Sequence, residues 1–118
     1  MYVDGFVVPV PKKNVKAYMT LAKKLGAIWR EHGAITVHEC LADDVKVGKW
    51  TSFPQAVKLK KDETVVFSWI EYKSRKDRDS CNKKVMADPR AKVMFDQKNM
   101  PFDGKRLIYG GFKVAAEG

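Results

Sequence analysis

The sequence predicts an α+β domain with ferredoxin-like β-α-β-β-α-β order and an antiparallel sheet. Three observations support this fold class. The hydrophobic period alternates between two and about 3.6 residues in that order, and a chain of 118 residues suits one domain. The sheet face without helices would also carry aromatic side chains. Because such a face would otherwise meet water, we expect a second copy of the chain to cover it.

The first strand and the first helix are predicted from a change of hydrophobic period. Residues Tyr2–Val8 are rich in β-branched and aromatic side chains, and Pro9 and Pro11 should end this strand because proline cannot donate to a ladder. Apolar residues then recur every three or four positions, with lysines between them, up to Gly33. The apolar positions of this amphipathic helix are Val15, Tyr18, Ala22, Leu25 and Trp29.

A second strand is predicted over Ala34–Leu41, where the side chains alternate between two faces of the sheet. Its two faces hold Thr36, His38 and Cys40 on one side, and Ile35, Val37, Glu39 and Leu41 on the other. A long connection follows over about residues 42–62, with room for one short helix near Phe53–Val57. Loops of this length in a small domain are typical of lids, binding loops or dimer arms.

The third strand and the second helix are predicted from β propensity and from capping signals. Residues Glu63–Tyr72 carry the densest β signal in the chain. Ser74 and Asp77 have the spacing of a capping box, which predicts a helix start. Asp88-Pro89 is a second start signal, so this helix should be broken into two pieces.

The last strand is predicted over Arg106–Val114, after a turn at Met100–Gly104. The pair Gly110-Gly111 within it predicts a β-bulge, since glycine in a strand often marks one. No repeat or low-complexity tract interrupts the chain. We therefore expect residues 1–118 to form a single domain.

The charge balance leaves nucleic-acid binding open as an alternative function. The chain has 23 lysines and arginines against 14 acids, giving a net charge of +9, which is typical of nucleic-acid binders. Only five of these basic residues are arginine, and the lysines are scattered and often stand beside acids, as on a solvated surface. A structural or regulatory dimer without a ligand is a further alternative.

The cysteines and the hydropathy pattern exclude several classes of protein. Cys40 and Cys81 are far apart and form no CxxC pair, so we expect two free thiols. No apolar stretch approaches the roughly 20 residues of a membrane span, and Asp4 interrupts the N-terminal apolar run. A cytoplasmic protein without a membrane partner is expected.

Several segments, taken together, span nearly the whole chain and resemble one family. They are Tyr2-Val3-Asp4-Gly5-Phe6, Trp29-Arg30-Glu31-His32-Gly33-Ala34, Phe67-Ser68-Trp69-Ile70, Lys84-Val85-Met86-Ala87-Asp88-Pro89-Arg90 and Met100-Pro101-Phe102-Asp103-Gly104-Lys105-Arg106. This set is similar to the YbaA-like family of uncharacterised bacterial proteins, a family of unknown function. The resemblance implies a dimeric α+β barrel, in which two sheets pack face to face. The wider barrel superfamily includes cofactor-free monooxygenases, decarboxylase-like enzymes and ligand-binding modules, so enzymatic activity here is a fold-level analogy.

If the barrel forms, side chains on the sheet face away from the helices should line a cavity for a small, aromatic molecule. Strand alternation nominates Tyr2, Asp4, Phe6, Thr36, His38, Cys40, Phe67, Trp69 and Glu71, and Tyr109 comes from the last strand. His38 would be the base because its ordinary pKa lies nearest neutrality, with Asp4 or Glu71 to orient it. Cys40 would be the nucleophile. The alternative for these polar residues is a structural role across the dimer seam, and for Cys40 an inert buried thiol.

The remaining motifs favour no common enzyme class and no cofactor. Phosphate-binding loops, dinucleotide motifs, HExxH and GxSxG are absent from the sequence. Residues 1–6 imitate the first-strand motif of an RNA-recognition domain, but the third strand lacks the second motif. His32 should cap the first helix. Asp43 and Asp44 with Glu39 lack EF-hand spacing, so no metal site is expected.

Overall fold

The computed structural model describes all residues from 1 to 118. The strands are β1 (Tyr2–Pro11), β2 (Thr36–Leu41), β3 (Glu63–Tyr72) and β4 (Ile108–Lys113). The α-helices are α1 (Val15–Glu31), α2 (Phe53–Ala56), α3 (Arg75–Ala87) and α4 (Pro89–Met94). Single 3-10 turns lie at Lys12–Asn14, Gln97–Asn99 and Gly104–Arg106. No helix combines the length and the apolar character that a membrane crossing requires.

The four strands form one antiparallel sheet in the order β2-β3-β1-β4. Each βαβ unit is therefore split by one strand of the other unit, which confirms the predicted ferredoxin-like plan. Helices α1, α3 and α4 pack on the same side of the sheet. We call this side the helical face and the opposite side the open face.

The two clusters of the hydrophobic core lie between the sheet and the helices. One cluster joins Ile28 of α1 to Tyr72 of β3 and Val85 of α3, and the latter two are fully buried. A second cluster packs Val8 of β1 and Val66 of β3 against α1. Each fully buried side chain of this kind stabilises the fold by roughly 1.5–3 kcal/mol, so the helical face provides most of the apolar burial.

The first strand does not end at Pro9, as the sequence had indicated, but continues to Pro11. Pro9 pairs with Val65 and Pro11 with Glu63 on β3. The pairing of β1 with β4 stops at Val7. Both prolines therefore lie where β1 has a neighbour on one side only, so their missing N–H groups need not interrupt a ladder.

The last strand is shorter than predicted, and the predicted bulge is absent. Residues 104–106 form a 3-10 turn, so β4 begins at Ile108. Gly110 pairs with Gly5, and Gly111 pairs with Asp4, in unbroken register. A Cβ atom at Gly111 would overlap the side chains of Tyr2 and Arg78. Glycine is present because side chains approach the backbone closely there.

The predicted helix starts and the predicted break are confirmed. The Ser74 hydroxyl accepts a hydrogen bond from the Asp77 amide at 3.1 Å. The Asp88 carboxylate accepts one from the Arg90 amide at 2.9 Å, at the start of α4. These caps satisfy amides that have no partner inside a helix. The chain therefore turns at Asp88 between α3 and α4.

The long connection between β2 and β3 covers only one end of the open face. Helix α2 lies within it, capped by the Ser52 hydroxyl. The Phe53 ring packs edge-on against the Phe67 ring at a centroid distance of 6.0 Å. Val65 is buried near this end. Farther along, the open face has no covering element.

Candidate functional site

The residues nominated from the sequence lie on both faces of the sheet. Thr36, His38, Cys40, Phe67, Trp69 and Glu71 lie on the open face, as predicted. The prediction that Tyr2, Asp4 and Phe6 share that face is wrong. Strand alternation shows which side chains share a face, but it does not show which face the helices cover. In the structure β1 carries these three side chains on the helical face. Tyr109 stacks on Phe6 at 6.3 Å and also lies on the helical face.

The open-face residues form an aromatic patch with a few polar groups. The His38 ring stacks on the Trp69 indole at a centroid distance of 4.8 Å. The Trp69 N–H donates to the Glu71 carboxylate at 3.0 Å. Cys40 pairs in register with Phe67. His38 and Glu71 therefore lie on the same face with Trp69 between them, and the Glu71 carboxylate accepts its hydrogen bond from Trp69.

Asp4 is bound in a buried ion pair and is separated from His38 by the sheet. The Arg78 Nε atom of α3 lies 3.0 and 3.2 Å from the two carboxylate oxygens of Asp4. The guanidinium also lies over the Tyr2 ring at 5.1 Å. Asp4 therefore fixes α3 against β1 and does not orient His38, contrary to the prediction. The first-strand motif is likewise unavailable for base stacking, because Tyr2 and Phe6 face the helices.

A largely apolar pocket lies on the helical face, where the sequence had predicted only core. Its volume is about 110 Å³, and 11 of its 14 lining residues are hydrophobic. The rings and aliphatic chains around it include Phe6, Leu21, Leu25, Trp29, Phe95 and Phe102. The pocket thus lies between α1, the sheet and the segment that leads into β4.

One polar cluster interrupts this apolar lining. The Tyr18 hydroxyl of α1 donates to the Glu39 carboxylate of β2 at 2.9 Å. Ser68 of β3 pairs with Glu39 in register and also lines the pocket. Burial raises the pKa of Glu39, while hydrogen bonds from Tyr18 and Ser68 oppose that rise. Burial and the neighbouring Glu39 raise the pKa of Tyr18, so its hydroxyl stays a donor.

A short segment between α4 and β4 closes the side of the pocket. The Phe102 ring packs edge-on against Tyr18 at 5.4 Å, and Phe95 packs against Trp29 at 5.9 Å. The Asn14 side-chain amide donates to the Pro101 carbonyl at 3.0 Å and ties this segment to the start of α1. The turn at Met100–Gly104, predicted only as a turn, therefore also forms a wall of the pocket.

Glu39 is the site residue that the sequence interpretation did not nominate. Its signal was present, because Glu39 stands between Val37 and Leu41 on the strand face assigned to apolar residues. A carboxylate at an apolar position of a strand is unusual unless it is paired or functional. The pairing with Tyr18 depends on α1 crossing β2, which no local pattern could reveal.

His32 and Cys81 have structural surroundings. His32 occupies the C-cap position of α1, and its Nε2 atom lies 3.0 Å from the Asp88 carboxylate. Hydrogen bonds from Arg90 and then from His32 hold the pKa of Asp88 well below its usual range. Cys81 is buried against the Trp29 carbonyl, and burial raises the pKa of its thiol. Both cysteines are free, as expected.

Comparison with known proteins identifies the family. Residues 1–104 match the model of a family described as protein of unknown function (DUF1428). The chain belongs to the DUF1428 family. It is 53% identical over 112 residues to proteins described as uncharacterized protein YbaA from Escherichia coli K12 and Shigella flexneri. The match covers 95% of this chain and 94% of each relative, which confirms the resemblance seen in the sequence.

Two solved structures share the fold with this DUF1428 chain. A dimeric ferredoxin-like protein from an uncultured marine organism superposes with a TM-score of 0.60 at 10% identity, covering 100% of this chain and 98% of the other. An uncharacterized NIPSNAP domain protein from Burkholderia xenovorans gives a TM-score of 0.57 at 15% identity, covering 98% and 96%. At such identities the likeness concerns the fold alone.

Proposed function

We propose that this DUF1428 protein binds a small, mostly apolar organic molecule in the pocket beneath α1, with one polar atom of the ligand at Glu39. The observation that carries the proposal is a hollow apolar pocket with a single polar cluster, formed by Glu39, Tyr18 and Ser68. Ligand sites are commonly apolar clefts in which a few polar groups fix the orientation of the ligand. This keeps the ligand class predicted from the sequence and moves its site to the helical face.

The size and the polarity of the pocket indicate the class of ligand. A cavity of about 150 Å³ lined by apolar side chains accepts benzene, so a pocket of about 110 Å³ holds no more than a single ring. A carboxylate accepts hydrogen bonds and repels anions. The preferred ligand is therefore a neutral ring that carries a hydroxyl or amine hydrogen. Negatively charged rings should be excluded, despite the positive charge of the whole chain.

Glu39 is also the group best placed to exchange a proton with the ligand. A partly buried carboxylate with a raised pKa takes up and releases protons nearer neutral pH than an exposed one. The Tyr18 hydroxyl can hold the carboxylate in place while a proton moves. A cofactor-independent proton transfer is the chemistry that these residues would support, if the protein is an enzyme.

The proposal is tested by ligand-observed NMR with three probes of similar size: phenol, toluene and benzoate. Phenol should bind more tightly than toluene, and benzoate should not bind. Glu39→Gln should admit benzoate, because the repelling charge is gone. Ala22→Leu should abolish binding of all three by filling the pocket. Glu71→Gln, on the open face, is the matched control and should change nothing. If Glu71→Gln and Ala22→Leu lost the same affinity for the probes, binding would occur outside this pocket and the proposal would be refuted.

We also propose that two copies of the chain pack through their open faces, as in the predicted dimeric barrel. Phe67, Ile108 and Phe112 are exposed there at 42%, 46% and 65%. No lysine or arginine lies among the strand residues of this face, although the chain carries 23 of them. An apolar surface free of like charge suits self-association. One structural neighbour is itself described as a dimeric ferredoxin-like protein.

Light scattering after size-exclusion chromatography tests the dimer with a matched pair of variants. Phe112→Lys places a charge on the open face and should give a monomer. Tyr109→Lys changes an equally exposed residue of the same strand on the helical face, and it should stay dimeric. A wild-type monomer, or loss of the dimer in both variants, would contradict this assembly. In the dimer, His38, Cys40 and Glu71 would lie at the interface between the two sheets. A site formed by these residues would therefore lie inside the barrel.

A further inference from the structure

A groove lined by lysines lies at the end of the domain where β1 ends and β3 begins. It is formed by Lys12 after β1 and by Lys58, Lys60 and Lys61 before β3, with the Gln55 side chain at its edge. None of these four ammonium groups has an acidic partner within 4.0 Å. The fold therefore brings Lys12 beside three lysines that are already close together in the sequence.

The backbone that carries these lysines is held firmly. Arg106 donates to the carbonyls of Val57 and Lys58, each at 3.0 Å, and to the buried Glu63 carboxylate at 2.5 Å. The Lys60 amide donates to the other oxygen of Glu63 at 2.8 Å. The only acid that lines the groove thus forms its hydrogen bonds with Arg106 and with the backbone, and with none of the four ammonium groups.

Lys58 adds a second, independent sign that the groove is more than a solvated surface. Its φ angle is +50°, and it is the only residue other than glycine with a positive φ. This left-handed conformation is unfavourable for a side chain with a Cβ atom, and strained residues of this kind cluster at functional sites. This strain opposes folding, and the ammonium groups along the groove would attract a bound anion.

We propose that this groove is an anion site for a small molecule that carries two or more linked phosphate groups. Lysine ammonium groups bind phosphate as point charges, and four of them can neutralise a multiply charged group. The lining contains no aromatic ring on which a nucleic-acid base could stack. A phosphorylated small molecule therefore fits better than a nucleic-acid strand. The site is separate from the pocket at Glu39, and it does not depend on the function proposed there.

The proposal is tested by calorimetric titration with inorganic tripolyphosphate at low and at physiological salt. Wild type should bind one equivalent, and Lys58→Ala/Lys60→Ala should lose at least about tenfold in affinity. Lys83→Ala/Lys84→Ala removes the same charge from exposed positions of α3 and should stay within about twofold of wild type. Equal losses in the two double variants would mean a general charge effect and would overturn the site. The site would also be overturned if the protein bound a single-stranded oligonucleotide and both double variants weakened that binding equally. Such a result would indicate non-specific attraction.

A single substitution separates the strain from the charge. Lys58→Gly relieves the left-handed backbone and removes one ammonium group. It should raise the melting temperature in the absence of ligand and lower the affinity for tripolyphosphate. A variant that gains stability without losing affinity would show that Lys58 does not contact the anion, and it would overturn its role in the site.

Discussion

Removing the Arg78 guanidinium should destabilise the protein, because it leaves the Asp4 carboxylate without its cation. Asp4 is only 6% exposed, and no other basic group lies within 4.0 Å of its carboxylate. The substitution Arg78→Met keeps the aliphatic packing against Tyr2 and leaves a buried carboxylate without its cation. The protein must then protonate Asp4, admit water to it, or lose packing between α3 and β1.

The magnitude follows from burial. Breaking a buried ion pair by removing one partner costs about 3–5 kcal/mol. The Arg78 side chain is 20% exposed, so water can partly replace its guanidinium. We therefore expect a loss of stability at the lower end of this range, about 3 kcal/mol. The double variant Asp4→Asn/Arg78→Met leaves no buried charge and should recover roughly half of that loss. Together with the single variant Asp4→Asn, these variants complete a double-mutant cycle that measures the coupling of the pair.

Urea unfolding at neutral pH gives the free energies of unfolding directly. The matched control is Arg75→Met, which removes an exposed pairing with Asp79 at 3.7 Å on the same helix. Exposed pairs of this kind contribute about 0–1 kcal/mol. If Arg78→Met cost no more than Arg75→Met, Asp4 would be free of its partner in solution. It could then serve in a site, as the sequence had predicted.

Three further predictions concern stability. Because burial raises the pKa of Glu39 in the folded state, the contribution of Glu39 to stability should be most favourable below the ordinary glutamate range and be lost as pH rises through its folded-state pKa. Glu39→Gln should flatten this slope in urea unfolding measured between about pH 4 and pH 8. Gly111→Ala should cost about 1–3 kcal/mol through overlap with neighbouring side chains, whereas Gly110→Ala, with only ordinary contact to a ring, should change thermal stability little. Ser74→Ala should cost about 1 kcal/mol by uncapping α3, and equal stability in thermal unfolding would contradict that cap.

The sequence was sufficient for the order of elements because each element carries its own local signal. The Ser74 and Asp88 caps were readable as side-chain types at fixed spacing, and both occur in the structure. The strand ends were less predictable. Pro9 and Pro11 are compatible with β1 only because β4 stops pairing at Val7. Gly111 of β4 leaves room for side chains from β1 and α3. The pairing that ends at Val7 and the close approach of Tyr2 and Arg78 to Gly111 both depend on distant parts of the chain.

The candidate site was harder to predict for one physical reason. Alternation along a strand separates two sets of side chains, but it does not say which set the helices cover. For β2 the assignment was correct, and Glu39 was placed with the apolar residues. For β1 it was inverted, because Tyr2, Asp4 and Phe6 were assigned to the uncovered face but lie against the helices. A buried carboxylate on β1 was acceptable only because Arg78 on α3 neutralises it.

The buried carboxylate of Asp4 and the partly buried carboxylate of Glu39 therefore differ in what they can do. Asp4 is held by a guanidinium on α3, so its charge is balanced within the protein. Glu39 has only the neutral hydroxyls of Tyr18 and Ser68 as partners, and burial accordingly raises its pKa. A carboxylate without a cation in an apolar pocket lowers the stability of the free protein, and a ligand that donates a hydrogen bond would offset that cost. On this reasoning Glu39, rather than Asp4 or His38, is the residue that gives the pocket its chemistry.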